Sequence, residues 1–244
     1  MKTLAKILYW KLCFPKFVQL RPARLRVVSG PFRGMPYGIQ ACASAHSAKV
    51  LGTYEKELHG IIGEIQYERF EKIIDIGAAE GYYAVGMARS NGGGPGTVIA
   101  FEAQELGRNL LREVAELSGV KNLDIRGSCD APTLDAALAE SGKTLIICDV
   151  EGYETELLDP ERVPGLRRSS VLVELHDTPA MPISEIIRQR FERSHKITEV
   201  ESAERTWLDF PAKNFFARLL PRSLALRAMN EARGYQKWFW MRPL

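Results

Sequence analysis

Acidic residues are missing from the first 54 positions, where nine lysines and arginines stand unopposed. They are nearly missing again from residues 211–244, which hold seven basic residues and only Glu231. Between these ends, residues 55–210 carry 29 acidic against 17 basic residues, so a net charge of +3 hides two basic ends on an acidic body. Basic ends of this kind either face phospholipid, an anionic glycan or nucleic acid, or lie as solvated segments packed on the body. The chain also lacks any apolar run approaching the length of a membrane-spanning helix, so none is expected. Lys6 and Lys11 interrupt the apolar N-terminus, which argues against a signal peptide. Cys13, Cys42, Cys129 and Cys148 show no CxxC spacing, which predicts four reduced thiols in a cytosolic protein. Apolar and charged contents of 45% and 26% are ordinary for a globular chain, and 244 residues accommodate one large α/β body, expected over residues 48–244, behind a basic extension over 1–47.

One further absence narrows the chemistry. Ile73-Ile74-Asp75-Ile76-Gly77-Ala78-Ala79-Glu80-Gly81-Tyr82-Tyr83 reads as a buried strand, a tight turn and the start of a helix. Small residues at 77, 79 and 81 let backbone approach a ligand, and a helix N-terminus beyond offers free N–H groups. A dinucleotide site wants G-x-G-x-x-G. Here Ala79 stands at the middle glycine and Tyr82 at the third, so a pyrophosphate is crowded. S-adenosylmethionine carries no phosphate and tolerates an alanine there. Its ribose needs a carboxylate at the end of the next strand, and Val98-Ile99-Ala100-Phe101-Glu102 supplies Glu102 in that place.

The rest of the pattern alternates strands and helices. Leu4, Ile7, Leu8 and Leu12 recur at helical spacing, with lysines between them and Pro15 as the stop, so residues 1–14 suit either a membrane interface or a docking helix. Leu25–Val28 reads as a short strand and Ala48–Ile65 as one helix, with Tyr54 and Glu55 as candidate pocket residues. Strands are expected at 73–76, 97–101, 123–126, 145–148, 171–175, 196–200 and 236–241. Helices are expected at 82–90, 105–118, 131–141, 154–158, 183–194 and within 215–233, with a flexible loop at 91–96. Strands separated by helices imply a doubly wound, mostly parallel sheet, with ligands bound beyond the carboxyl ends of the strands.

Those ends carry the candidate chemistry. Asp130, after the third strand, is placed to accept from an adenine amino group. Asp149 and Glu174 end or interrupt apolar strands, so each needs a partner. Glu154, Glu156 and Asp177 read as solvated loop acids. His176 follows the fifth strand and is the candidate general base, with Asp149 or Glu151 as substitutes. A divalent metal held by Asp149, Glu174, His176 and Asp177 is a less favoured version, and no metal ligand set is assigned.

Asp75-x-Gly77-x-x-x-Gly81, Glu102 and the string Ile147-Cys148-Asp149-Val150-Glu151-Gly152-Tyr153-Glu154 resemble class I S-adenosylmethionine-dependent methyltransferases of the FkbM-like type, over roughly residues 48–200. That resemblance implies a Rossmann-like, seven-stranded sheet with an antiparallel last strand, matching the segment 236–241. It also implies methyl transfer to a hydroxyl oxygen of a sugar or small molecule. Under it, Asp75, Gly77 and Gly81, with Ala79 between them, hold the methionine part. Glu102 binds the ribose and Ser128 to Asp130 flank the adenine. The blocks Gly30–Met35 and Leu51–Glu55 and the string Glu174-Leu175-His176-Asp177 depart from the family pattern. A nucleic-acid methyltransferase using the basic ends, or a non-catalytic cofactor-binding scaffold, are the alternatives. A small-molecule or glycan acceptor and a cytoplasmic location, with peripheral membrane contact through residues 1–14, complete the expectation.

Overall fold

A computed structural model describes residues 25–38, 40–42, 45–90, 96–139, 142–211, 221–231 and 233–244. The expected N-terminal helix lies outside these residues, as do most of the 91–96 loop and residues 215–220 and 232 of the 215–233 helix. Seven strands form one sheet: β1 (Lys72–Ile76), β2 (Thr97–Phe101), β3 (Leu123–Arg126), β4 (Thr144–Cys148), β5 (Ser170–Leu175), β6 (His195–Glu201) and β7 (Lys237–Pro243). Their order is β3-β2-β1-β4-β5-β7-β6. The first five run parallel, and β7 inserts antiparallel between β5 and β6.

The central strands read as unbroken apolar runs because both faces are covered. Alternate residues serve opposite cores. Ile73, Val98, Ala100, Leu145, Ile147, Trp238 and Trp240 face one core. It is closed by α1 (His46–Leu51), α2 (His59–Glu68), α3 (Tyr82–Ser90) and α4 (Glu105–Ser118). Ile74, Ile76, Ile99, Phe101, Ile146, Val171 and Phe239 face the other. That side is closed by α5 (Ala131–Leu138), α6 (Glu154–Leu157) and α7 (Ile183–Phe191). A large side chain buried this fully contributes about 1.5–3 kcal/mol, and both sheet tryptophans are 2% exposed or less. A final helix, α8 (Arg222–Met229), packs with Leu51 and Phe210 in a smaller cluster.

Two expectations fail locally. The single helix over 48–65 is broken in two. Gly52 takes a left-handed φ of 72° and ends α1, and Glu55 takes φ 45° before a short 3-10 turn leads into α2. Periodicity could not show this, because the apolar face continues across the break. Leu25–Val28 forms no strand: it makes one isolated bridge, Arg26 to Pro36. Val27, Phe32, Met35 and Tyr37 nonetheless share the first core with β1. Among the described residues no helix is long and apolar enough to cross a membrane.

Candidate active site

Strand order reverses between β1 and β4, which carries successive crossovers to opposite sides and opens a crevice at the strands' carboxyl ends. A cavity of about 710 Å³ lies there, within the usual size range of small-molecule sites. It divides by its walls. The ends of β1, β2 and β3 line one part, and the ends of β4 and β5 with the segment entering β7 line the other.

The first part is built around Glu102. Its carboxylate is 8% exposed. Oε2 accepts the Ala79 N–H at 2.8 Å and Oε1 accepts the Gln104 N–H at 2.7 Å. Ala79 holds φ 47°, a left-handed conformation unusual for alanine, which aims its N–H at that acid. Gly107 makes room on the other side, since a Cβ there would lie 2.8 Å from Glu102 Cγ. Asp75 is 3% exposed, and its Oδ2 has no hydrogen-bond partner among the described residues. Burial, reinforced by the nearby Asp149 charge, raises its pKa to about 7. Ser128 and Asp130 line the outer wall, where Asp130 also caps α5 by accepting the Thr133 N–H at 2.9 Å. The Thr133 hydroxyl and N–H together hold the Asp130 carboxyl below its usual range.

The two glycines of the turn have different reasons to be glycine. Gly77 (φ 86°) lines the cavity, but a Cβ there would lie 1.7 Å from the Asp149 carbonyl oxygen, so the crossing β4 backbone demands it. Gly81 does not line the cavity. Its Cβ would press on Leu111 at 2.9 Å, so the expected ligand contact is instead a packing contact with α4.

Glu80, between them, carried no sequence signal, because acids in turns are common. It is fully buried. Its two oxygens accept the Lys49 ammonium at 2.7 Å, the Tyr37 hydroxyl at 2.6 Å and the Cys42 N–H at 3.1 Å. Burial raises its pKa, but Lys49 outweighs this and holds the group ionised. Lys49, 4% exposed, lines the cavity with its Nζ 4.7 Å from the Tyr54 ring centroid.

The second part centres on His176. Its Nδ1 lies 2.6 Å from Glu154 Oε1, and its Nε2 lies 3.5 Å from Glu151 Oε2 and 3.7 Å from both Asp149 Oδ1 and Glu174 Oε1. Burial pulls the imidazole pKa down, but the Glu154 hydrogen bond and the Glu154, Asp149 and Glu174 charges carry it up to about 9. The expectation that His176 titrates near neutrality is therefore overturned: ringed by carboxylates, it is an imidazolium at neutral pH. Glu154 was expected to be solvated and is fully buried, with Oε2 unpartnered among the described residues. Glu156 and Asp177 are exposed as expected.

Although the Asp149 side chain is 41% exposed, its Oδ1 is closed from solvent and hydrogen-bonds to nothing among the described residues. Burial and the Glu55 charge raise its pKa to about 6 against the pull of His176. Glu174 is raised to about 8 by burial, Asp149 and Glu55. Donor atoms of Asp149, Glu151 and His176 all lie within 4.8 Å of one another, a spacing a metal ion also fits. Arg233, silent in the sequence, lies 5.1 Å from the ring centroids of both Tyr54 and Trp238. It pairs with Glu55 at 3.0 Å, Glu231 at 2.6 Å and Glu174 at 3.4 Å. Tyr54 and Glu55 do line the cavity, and the Tyr83 hydroxyl bonds Glu55. His46, His59 and His195 bond backbone carbonyls elsewhere.

No family model matches the sequence, and no curated protein matches it. Solved structures match in fold. A putative O-methyltransferase from Klebsiella pneumoniae superposes with a TM-score of 0.50 over 79% of this chain and 81% of its own, at 15% identity. An O-methyltransferase from Bacillus cereus in complex with SAH gives a TM-score of 0.50 over 84% of this chain and 83% of its own, also at 15% identity. The chain thus has the class I methyltransferase fold, a seven-stranded Rossmann-like sheet flanked by helices.

Proposed function

We propose that the chain is an S-adenosylmethionine-dependent methyltransferase of the FkbM-like type, acting on a hydroxyl oxygen of a sugar or small molecule. The observation that carries this reading is the first part of the cavity. There Glu102, held by the Ala79 and Gln104 N–H groups, shares a wall with the partnerless, buried Asp75 Oδ2. Each Glu102 oxygen keeps a second lone pair for a ribose hydroxyl. Asp75 offers an anion to an ammonium, and Ser128 and Asp130 offer polar atoms to a base edge. A pyrophosphate suits this wall poorly. Asp75, Glu102 and Asp130 make it acid-rich, and the turn's N–H groups are already bonded: those of Gly77 and Ala78 to the Phe101 carbonyl, that of Ala79 to Glu102, and that of Gly81 to the Ala78 carbonyl.

S-adenosylmethionine, when bound, supplies a methyl group on a positively charged sulfur. The remaining work falls to the chain. Tyr54, Tyr83 and Trp238 give the second part apolar walls that exclude water. Asp149, ionised at neutral pH with an unpartnered Oδ1, is the group that takes the acceptor's proton. His176 stays protonated and keeps Asp149 charged and oriented, with Glu151 3.5 Å from its Nε2. The acid-rich second part favours an uncharged or cationic acceptor over a polyanion, which weighs against nucleic acid. The same reading places the enzyme in the cytoplasm, and vesicle flotation with and without residues 1–14 tests a peripheral membrane contact.

Calorimetry with S-adenosylhomocysteine, on wild type and Glu102→Ala, tests the cofactor assignment. Micromolar binding that is lost in the variant supports it, and absence of binding by wild type refutes it. Methylated product from hydroxyl-bearing acceptors, detected by mass, separates an enzyme from a cofactor-binding scaffold. If chelation abolishes turnover and magnesium restores it, a metal and not the imidazolium occupies the space between Asp149, Glu151 and His176.

A further inference from the structure

The proposed cofactor ends in an α-amino acid, and the structure offers its ammonium and its carboxylate unequal choices. Asp75 suits the ammonium. The carboxylate would ordinarily take N–H donors from the turn after β1, but here the N–H groups of residues 77, 78, 79 and 81 are bonded within the protein. Of the cationic side chains in the cavity wall, His176 is enclosed by four carboxylates and Arg233 by three. Lys49 remains. Its ammonium has three N–H bonds and, among the described residues, one carboxylate partner, Glu80. It lies beside the turn after β1, because its partner Glu80 belongs to that turn, and it lines the cavity. Glu80 and the faces of Tyr54 and Tyr82 hold the Lys49 head in place, so little side-chain entropy remains to be lost on binding.

Resting on the cofactor reading above, we infer that Lys49 receives the α-carboxylate of the cofactor's amino-acid end and so sets the preference for an intact amino acid over a truncated nucleoside. Nothing in the sequence motif marks this residue. It lies in α1, well before the turn, and reaches the site because Glu80 draws that segment across it.

The test compares S-adenosylhomocysteine with its decarboxylated analogue by calorimetry. Wild type is expected to prefer the intact compound about ten- to hundredfold, the worth of one charge-assisted hydrogen bond. Lys49→Met leaves Glu80 buried without its cation and risks misfolding, so Lys49→Met/Glu80→Gln is measured beside it, retaining an acceptor for Tyr37. In either variant the analogue should bind as it does to wild type while the preference disappears, and Lys49→Arg should restore part of it. A preference kept in the variants, or an equal loss for both compounds, overturns the assignment. Failure of wild type to bind either compound instead brings down the cofactor reading itself, and this inference with it.

Discussion

Glu154 presents Oε1 to His176 Nδ1 at 2.6 Å, and neither the fully buried acid nor its 16%-exposed partner can trade that contact for water. The imidazolium owes its persistence chiefly to this bond. Glu154→Gln should bring the His176 pKa down from about 9 toward the ordinary histidine value, read from the ring-proton chemical shifts. Turnover should fall about tenfold or more. An unchanged titration would show that Asp149 and Glu174 suffice.

The same group links folding to pH. His176 has a folded pKa raised above its unfolded value of 6.5, so its contribution is fully present below pH 6.5 and is lost as pH rises through about 9. Urea melts of the ligand-free protein should show His176 contributing about 1–3 kcal/mol at the lower pH. The difference between wild type and His176→Gln should shrink across that window. A difference independent of pH would contradict the assignment.

As the proposed acceptor of the substrate's proton, Asp149 should set the acid side of the pH profile. Its pKa of about 6, with that of His176 at about 9, predicts a kcat/KM profile that rises through pH 6 and falls again through pH 9. Asp149→Asn should lower kcat by about a hundredfold and remove the rising limb. Retention of that limb in the variant would assign the proton acceptor elsewhere.

Asp75 is held at a cost to the empty protein. A buried carboxyl with an unpartnered Oδ2 is destabilising until a donor arrives. Asp75→Asn should therefore stabilise the ligand-free fold by about 1 kcal/mol, while weakening S-adenosylhomocysteine. Thermal melting with and without ligand reads both effects, and a variant that melts earlier without ligand would refute the argument.

Gly107 tests the Glu102 clamp without touching the carboxylate. Alanine there brings a Cβ to 2.8 Å from Glu102 Cγ and 2.9 Å from its Cδ. Gly107→Ala should leave melting within about 1 kcal/mol of wild type, because alanine favours a helix interior. Nucleoside affinity should drop about tenfold. Unaltered affinity would mean that Glu102 need not keep its present position.

The centre of the sheet was legible because buried parallel strands leave apolar runs, and the edge strand β3 because Leu123 and Ile125 alternate with charged residues: β2, β3 and α4 lie within the bounds the sequence predicts, and the turn at Gly77 stands where small residues cluster. Asp75, Glu102, Asp149 and His176 stood out for the same reason, since each interrupts or directly follows an apolar run, and all four line the cavity. What stayed hidden depends on long-range contact. Lys49 and Glu80 are 31 positions apart and Glu55 and Arg233 are 178 apart, and neither pair shares a periodic pattern. The ionisation of His176 was misread because the burial of Glu154 depends on how the loop after β4 folds back, which spacing does not encode. The break at Gly52 and Glu55 was missed because left-handed backbone leaves no mark on an amphipathic pattern.

The placement of β7 between β5 and β6 has a consequence for synthesis on the ribosome. Among the described residues β6 has no hydrogen-bonded neighbour other than β7, so it emerges from the exit tunnel with an open edge and must wait about forty residues for its mate. The strand that ends this wait also brings Trp238, whose indole donates to Glu174 Oε2 at 3.2 Å. Closure of the sheet and completion of the cavity wall are thus one event, and a nascent chain has no finished pocket.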